Sequence, residues 1–567
     1  MSRDREGAVP SARFRVFLPV SLRGFAEFAS GLTRSCTIGP NRGGRIRRNW
    51  AIAWLVYAAV AWAQAPEIAR NGVVNEASNI PLGLADSAIA RGARLTVRGT
   101  RFGDRLAALS AKLLTPTNAK TLTIVPVDAS TAIVRIPSDA PLGPASLAVT
   151  VNGKSSPPYP VKVVPAQFGI YSQNGKGWGP GRIQNVSSTG RTLNSVDNAA
   201  TFGQTLALAG TGLGDAKSPA VFIGAKSATV VSARSSAEGD EILFRVPANT
   251  PEGCFVPVQV RNAGPSVSNT VTAAIHNGGG ACREPDFFPF AGWPEARIGM
   301  VAITRTAMGK QGAQPISDEA AAWFGKLLKL EKLNPYFLLP PPGACTSQTE
   351  PWRGGFTPAT LPSLLATHAA AEVLRAGDQL TVDDGKTVRK LPAFRGTQGV
   401  FDRELSDLIG QPDRLLHFLS PAILHVVGKG GADVGRVGIA LNGPAPFEMR
   451  GEMGPVKRGQ PLRLQWTDMT TARIAIVFAN FVDETTGSRG MCYCVGTPGA
   501  TGLTIPGSAL AYFPAAGNGA RIALTVAAWP LRPVAFQAAG LDHGLALSVY
   551  MQHSSTGPKP SSFRERN

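Results

Sequence analysis

The sequence predicts a mainly β chain: tandem β-sandwiches, then further β-rich modules with one short helical insertion. Three observations carry the prediction. GARLTVRGTRFGD at residues 92–104 recurs as GQTLALAGTGLGD at 203–215, an offset of 111, and IVRIPSDAPLG (Ile133–Gly143) recurs as ILFRVPANTPEG (Ile242–Gly253). A repeat of about 110 residues is too long for a solenoid and suits a duplicated domain. Within each copy, apolar and polar residues alternate over short runs that end in Gly, Pro, Asn or Asp, the pattern of half-buried strands joined by turns. Gly 63 and Pro 45 against only 7% aromatic residues point the same way, to many short strands.

The elements follow in chain order. Residues 1–63 read as a leader: Arg42, Arg45, Arg47 and Arg48 precede the apolar run 51–63, which closes on Ala61-Trp62-Ala63. A basic stretch, a short apolar core and an A-x-A site make a secretory signal, with cleavage expected after Ala63. Such a run is too short to span a bilayer, so no stable transmembrane segment is expected after cleavage. A first sandwich is expected at 66–165 and a second at 166–283. A β-rich module with a short helix should follow at 284–445, then a C-terminal sandwich at 446–553 and a disordered tail at 554–567. The helix is assigned to Asp318–Lys332, where Ala, Trp, Phe and Leu recur at helical spacing behind an acidic first turn. Strands are expected at QLTVDD, AILHVVGKGG, VGRVGIALNG, PLRLQWTD, RIAIVFANFVD, GLTIP, RIALTVAAWP, PVAFQAAG and ALSVYMQH.

The segments GVVNEASN, QNG…LNSVDNAATFG…GTGLGD and GCFVPVQVRNAGPSVSNTVT resemble the IPT/TIG-type immunoglobulin-like modules of large secreted proteins of soil bacteria. The resemblance covers roughly 66–283 and implies immunoglobulin-like sandwiches without implying a function. The first copy departs from the pattern at Glu76 and at Arg101, where the second copy has Gly212.

Cysteine usage fits an oxidising compartment. Cys254 opens a strand of the second copy and Cys282 follows its last strand, so a bridge between them would pin that domain's end. Cys345 is expected to pair with Cys494 or Cys492, leaving one odd thiol. Cys492 cannot readily close on Cys494, because alternate strand residues share a face and are held apart by extended backbone.

The net charge is +19, of which residues 1–63 supply +7, leaving a basic mature chain of +12. A basic surface attracts acidic polysaccharide or an anionic envelope. Nucleic acid is not an expected partner, since no Lys/Arg stripe is interleaved with aromatics. The sequence holds no G-x-S-x-G, HExxH, Walker A or EF-hand loop. Gly428–Gly435 is glycine-rich but lies between two strand-like runs, where a hairpin turn accounts for it. No catalytic, metal or cofactor residues are therefore expected. Trp178, flanked by glycines in GKGWGPG, is the candidate ligand-surface aromatic, whereas Trp352, Trp466 and Trp529 lie in or beside strand-like runs and read as core.

The resulting expectation is a non-catalytic protein, secreted, periplasmic or on the cell surface, that binds polysaccharide or another envelope component. Two alternatives stand: a secreted enzyme with its active site in 284–553, or a structural spacer in an envelope assembly.

Overall fold

The computed structural model describes residues 65–556, except 81–87, 104–107, 217, 262–266, 284–294, 309–315, 328–338, 349–371, 394–397, 406, 409–414, 417–422, 452–455, 458, 468, 484–487 and 512–519. Residues 1–64, which include the expected leader, lie outside the described residues, as do Trp352 and the residues beyond Thr556. Among those described, no helix is long and apolar enough to cross a membrane.

The first copy is a sandwich whose two sheets share one strand. Ala119–Asp128 pairs through its first residues with Leu109–Leu114 and through its later ones with Thr131–Arg135. One sheet continues through Arg94–Thr100 to Glu67–Asn75, and the other through Gly143–Val151 to Tyr159–Val164. The second copy repeats the device: Lys226–Ser235 pairs first with Ala220–Ile223 and then with Asp240–Arg245. Side chains alternate across each strand, so one set fills the space between sheets. Leu95, Val97, Leu113, Val134 and Val149 fill the first core, and Leu206, Leu208, Val221, Ile242 and Val258 the second.

The repeat persists in the backbone. Gly99 and Gly210 hold the same place: a Cβ at Gly99 would collide with the Glu67 carbonyl and the Phe102 ring, and one at Gly210 with the Gly169 carbonyl and the Phe168 ring. Arg101 sits at φ 61° where Gly212 sits at φ 94°, so the backbone conformation of the turn is kept although the residue differs. The copies part at their first strands. Glu67–Asn75 crosses Arg94–Thr100 with one irregularity, between Ile68 and Val73. The second copy splits that strand into Gly169–Ile170 and Ile183–Ser187 and inserts the Gly-rich loop between them.

Beyond the second sandwich, a ten-stranded sheet is built from both halves of the remaining chain. Its order is Cys345–Gln348, Ser488–Val495, Arg473–Asp483, Ala520–Pro530, His543–Thr556, Ala296–Met308, Ile316–Leu327 and Glu372–Val373, with Val400–Glu404 and Val534–Phe536 on side pairings. Ala296–Met308 runs parallel to His543–Thr556, from Ile298 beside His543 to Met308 beside His553. Strands on both sides of the boundary expected near residue 445 therefore share one sheet, which joins Ala296–Met308 and Ile316–Leu327 to strands within residues 473–556.

The helix expected at Asp318–Lys332 is instead the strand Ile316–Leu327, which pairs with Ala296–Met308 from Ala307↔Ile316 to Ala296↔Leu327. Residues 328–332 lie outside the described residues. The run AAAWF is buried on both faces: Trp323 enters one core, while Ala320, Ala322 and Phe324 enter another. A strand covered on both sides reads as a continuous apolar run, and alanine's helix preference is too weak to resist twelve residues of sheet pairing. Among the described residues the one helix is Gly507–Leu510.

The two faces of the large sheet have different covers. On one, Ile298, Met300, Ile476, Phe478, Val549 and Trp529 pack with Cys254 and Phe255 of the second sandwich. The opposite face carries two separate caps. The sheet of Val388–Pro392, Gln379–Asp383, Ile423–Gly428 and Val437–Asn442 covers Val301, Ile303 and Phe324. Glu448–Met449, Leu462–Thr467, Gly502–Ile505 and the short helix cover Val477, Ala479 and Phe481.

Candidate functional site

A cleft of about 560 Å³ opens beside the two caps, on their face of the large sheet. Its lining includes the small side chains of Ala528, Ala546 and Ser548, with Tyr550 farther along the same strand. The space arises from a change of partner. Ala520–Pro530 pairs with His543–Thr556 as far as Ala528↔Tyr550, and Val534–Phe536 takes over at Val534↔Ala546. Between these pairings the chain bends away at residues 531–533, leaving Ser548 in the gap. The Ser548 Oγ is buried and has no hydrogen-bond partner among the described residues.

Leu441–Ala445 lines the cleft from the first cap, and Thr470–Arg473 from the start of a large-sheet strand. Arg473 ties these two segments together, its Nη1 donating to the Ala445 carbonyl at 2.6 Å. Burial depresses the Arg473 guanidinium below its ordinary value. No carboxylate pairs with it among the described residues. Arg532 adds a second, exposed guanidinium at the cleft. Tyr550 packs edge-on against Phe447, with ring centroids 5.6 Å apart. Burial raises its phenol above the ordinary value, with the nearby Glu448 carboxylate adding to the rise and Arg305 opposing it, so the phenol stays protonated and able to donate. Two guanidiniums, two aliphatic hydroxyls (Thr470, Ser548), a phenol and an amide (Asn442) line this space, and among the described residues no carboxylate lines it. Such a set holds anionic oxygens and sugar-like hydroxyls.

Trp178 is elsewhere and is not presented to solvent. It is 8% exposed. The Gly-rich loop lies against the first sandwich: Asn79 Nδ2 donates to the Gly175 carbonyl at 2.9 Å, and a Cβ at Gly177 would collide with the Ser78 carbonyl. Asn269 Nδ2 holds the Gly177 carbonyl from the other side at 2.7 Å. The glycines thus permit close packing between sandwiches rather than display of the indole. Trp466 and Trp529 are buried in the cores of the C-terminal region.

Glu76, the first copy's departure from the repeat, has a partner in the second. Its carboxylate pairs with Arg94 at 2.5 Å and accepts the Tyr171 hydroxyl at 2.7 Å. Burial acts to raise the Glu76 carboxyl, but hydrogen bonds from Arg94 and Tyr171 outweigh it and hold it below the usual range. Asn75 Nδ2 reaches the Thr211 carbonyl at 3.3 Å, and Arg91 pairs with Asp215 at 3.1 Å. These residues fasten the two copies to each other.

Cys254 is bonded to Cys282, and Cys345 to Cys494. The first bridge lies where the second sandwich meets the large sheet. In the second, Cys345 and Cys494 face each other across paired strands, and Cys492 remains a buried thiol pushed up to about 12 by burial. The acidic turn at Asp383-Asp384 is local: Asp384 Oδ1 accepts the amides of Lys386 and Thr387. Among the described residues no group of His, Cys, Asp and Glu is placed to hold a metal ion. The cleft had no sequence signal of its own, because its lining comes from four separate segments between Leu441 and Tyr550.

The IPT/TIG domain family matches residues 192–275. No curated protein matches the chain in sequence. Among solved structures, similarity extends to SGBP-B of the Bacteroides ovatus mixed-linkage glucan utilization locus in complex with a mixed-linkage heptasaccharide. Identity there is 15%, over 34% of this chain and 46% of that one, with a TM-score of 0.19. SGBP-B from a complex xyloglucan utilization locus in Bacteroides uniformis is 12% identical over 86% of this chain and 97% of its own, at a TM-score of 0.16. Domains A168–A170 of titin are 10% identical over 65% and 94%, at 0.13. Residues 192–275, the greater part of the second sandwich, thus carry an IPT/TIG domain.

Proposed function

We propose that the protein is a non-catalytic, exported binding protein that captures acidic polysaccharide of a cell envelope or its surroundings through the cleft of its C-terminal region. The observation that carries this reading is the cleft lining itself: Arg473 and Arg532 with hydroxyl donors and, among the described residues, no carboxylate, in a space sized for a small oligosaccharide segment. A half-buried guanidinium without a counter-charge favours an anion that brings one. Export is supported by the basic and apolar leader and by two disulfides, which persist in oxidising compartments. The sandwiches act in this reading as a stand for the binding region, fastened to each other through Glu76 and Asn75.

The test is co-sedimentation of the purified protein with insoluble acidic and neutral polysaccharides and with isolated envelopes, at low and high salt. Saturable binding to an acidic polymer that survives high salt supports the reading. Binding abolished by salt reduces it to attraction by the basic surface, and no binding at either salt overturns it.

A further inference from the structure

We infer that Arg473 and Ser548 form a carboxylate clamp within the cleft, which would hold a uronic-acid unit of the bound chain. This rests on the reading of the cleft as the binding site and names the chemistry it selects. Of the donors on Arg473, Nη1 is occupied by the Ala445 carbonyl, which fixes the plane of the guanidinium. The Nε and Nη2 edge has no bonded partner among the described residues. That edge is a two-pronged fork matching the two oxygens of a carboxylate, and a fork held by a third bond loses little freedom when it engages.

Ser548 supplies the second half. Its Oγ is buried and has no partner among the described residues, although a serine hydroxyl is both donor and acceptor, and a buried hydroxyl left unpaired is destabilising. It sits where the sheet drops a partner strand, so the vacancy beside it belongs to the cleft and not to the core. A ligand oxygen in the gap would satisfy the hydroxyl and reach the same cleft as the guanidinium. Ala528 and Ala546 keep this part of the lining low, which leaves room for a sugar ring. Arg532, exposed at the cleft, is placed for the next acidic unit along the chain.

The experiment is calorimetric titration of the full protein with a galacturonic acid trimer, its carboxyl-reduced galactose counterpart and a sulfated galactose trimer, at low and high salt. The uronic acid trimer is expected to bind at both salts, with the reduced trimer weaker by about tenfold or more. Ser548→Ala should weaken the uronic acid trimer several-fold, and Ser548→Asp should abolish its binding by setting a like charge in the clamp. Arg473→Gln should cost about tenfold or more. If that variant unfolds by circular dichroism, the Ser548 pair still decides, since its hydroxyl makes no bond among the described residues. Equal binding of the reduced trimer, a preference for the sulfated one, or unchanged binding by Ser548→Asp overturns the clamp. Polysaccharide capture that persists in all three variants would leave the binding reading standing and the clamp refuted. Loss of capture by the unaltered protein refutes both.

Discussion

At the scale of single residues, the informative positions are those that break the internal repeat. Glu76 interrupts the first copy's opening motif because it faces Tyr171 of the second copy and Arg94 of its own. Its carboxyl is held below the ordinary glutamate value near 4.3. A depressed folded-state value stabilises the fold above that pH, and the gain is lost as pH falls through the folded value. Glu76→Gln should therefore cost about 1–3 kcal/mol near neutral pH and flatten the acid limb of the stability curve. Denaturant melts from neutral to acid pH check this; an unchanged limb would remove Glu76 from the joint. Arg101 is the converse case, a changed residue in a conserved left-handed turn.

At the scale of elements, the glycines of the repeat record close approaches between strands. Gly210 sits where Gly169 and Phe168 cross the central strand of the second sandwich. Gly210→Ala should lower stability by about 1–3 kcal/mol or more, because ring and backbone would have to move together. Gly438 in Val437–Asn442 has open space where a Cβ would go, so Gly438→Ala should be neutral or stabilising by up to about 1 kcal/mol. Chemical denaturation of the two variants side by side tests the contrast, and equal costs would contradict it. The strand Ile316–Leu327 shows the limit of element-level reading: its apolar residues fit a helical stripe as well as a strand buried on both sides. Pairing with Ala296–Met308 decides between them.

For the molecule as a whole, the bridges divide stability unevenly. Cys345–Cys494 closes a separation of 149 residues and Cys254–Cys282 one of 28. Loop-closure entropy assigns these about 5 and 3–4 kcal/mol respectively. The first sandwich contains no cysteine between Glu67 and Val164. Reductant should then loosen the large sheet and the end of the second sandwich while sparing the first. Hydrogen exchange read segment by segment would show this as lost protection at Ser488–Val495 and Gly253–Arg261 with Arg94–Thr100 unchanged. Uniform loss, or none, would sink it.

How much was legible follows from which interactions are local. Alternation, turn residues and the 111-residue offset are written in short stretches, so a β chain with a duplicated sandwich and most C-terminal strands were legible from the residues alone. Cysteine spacing narrowed the bridges to Cys254–Cys282 and to Cys345 with one of two neighbours; strand register selected Cys494. Three features belong to the tertiary structure alone. The fate of Trp178 depended on the first sandwich lying against its loop. The sheet that joins residues 296–327 to 473–556 depended on a parallel pairing between segments more than two hundred residues apart. The cleft depended on where that sheet changes partners, bringing Arg473, Arg532 and Ser548 to one space. Non-local pairing and the gaps it leaves are set by how whole surfaces fit, and no short window of sequence carries that fit.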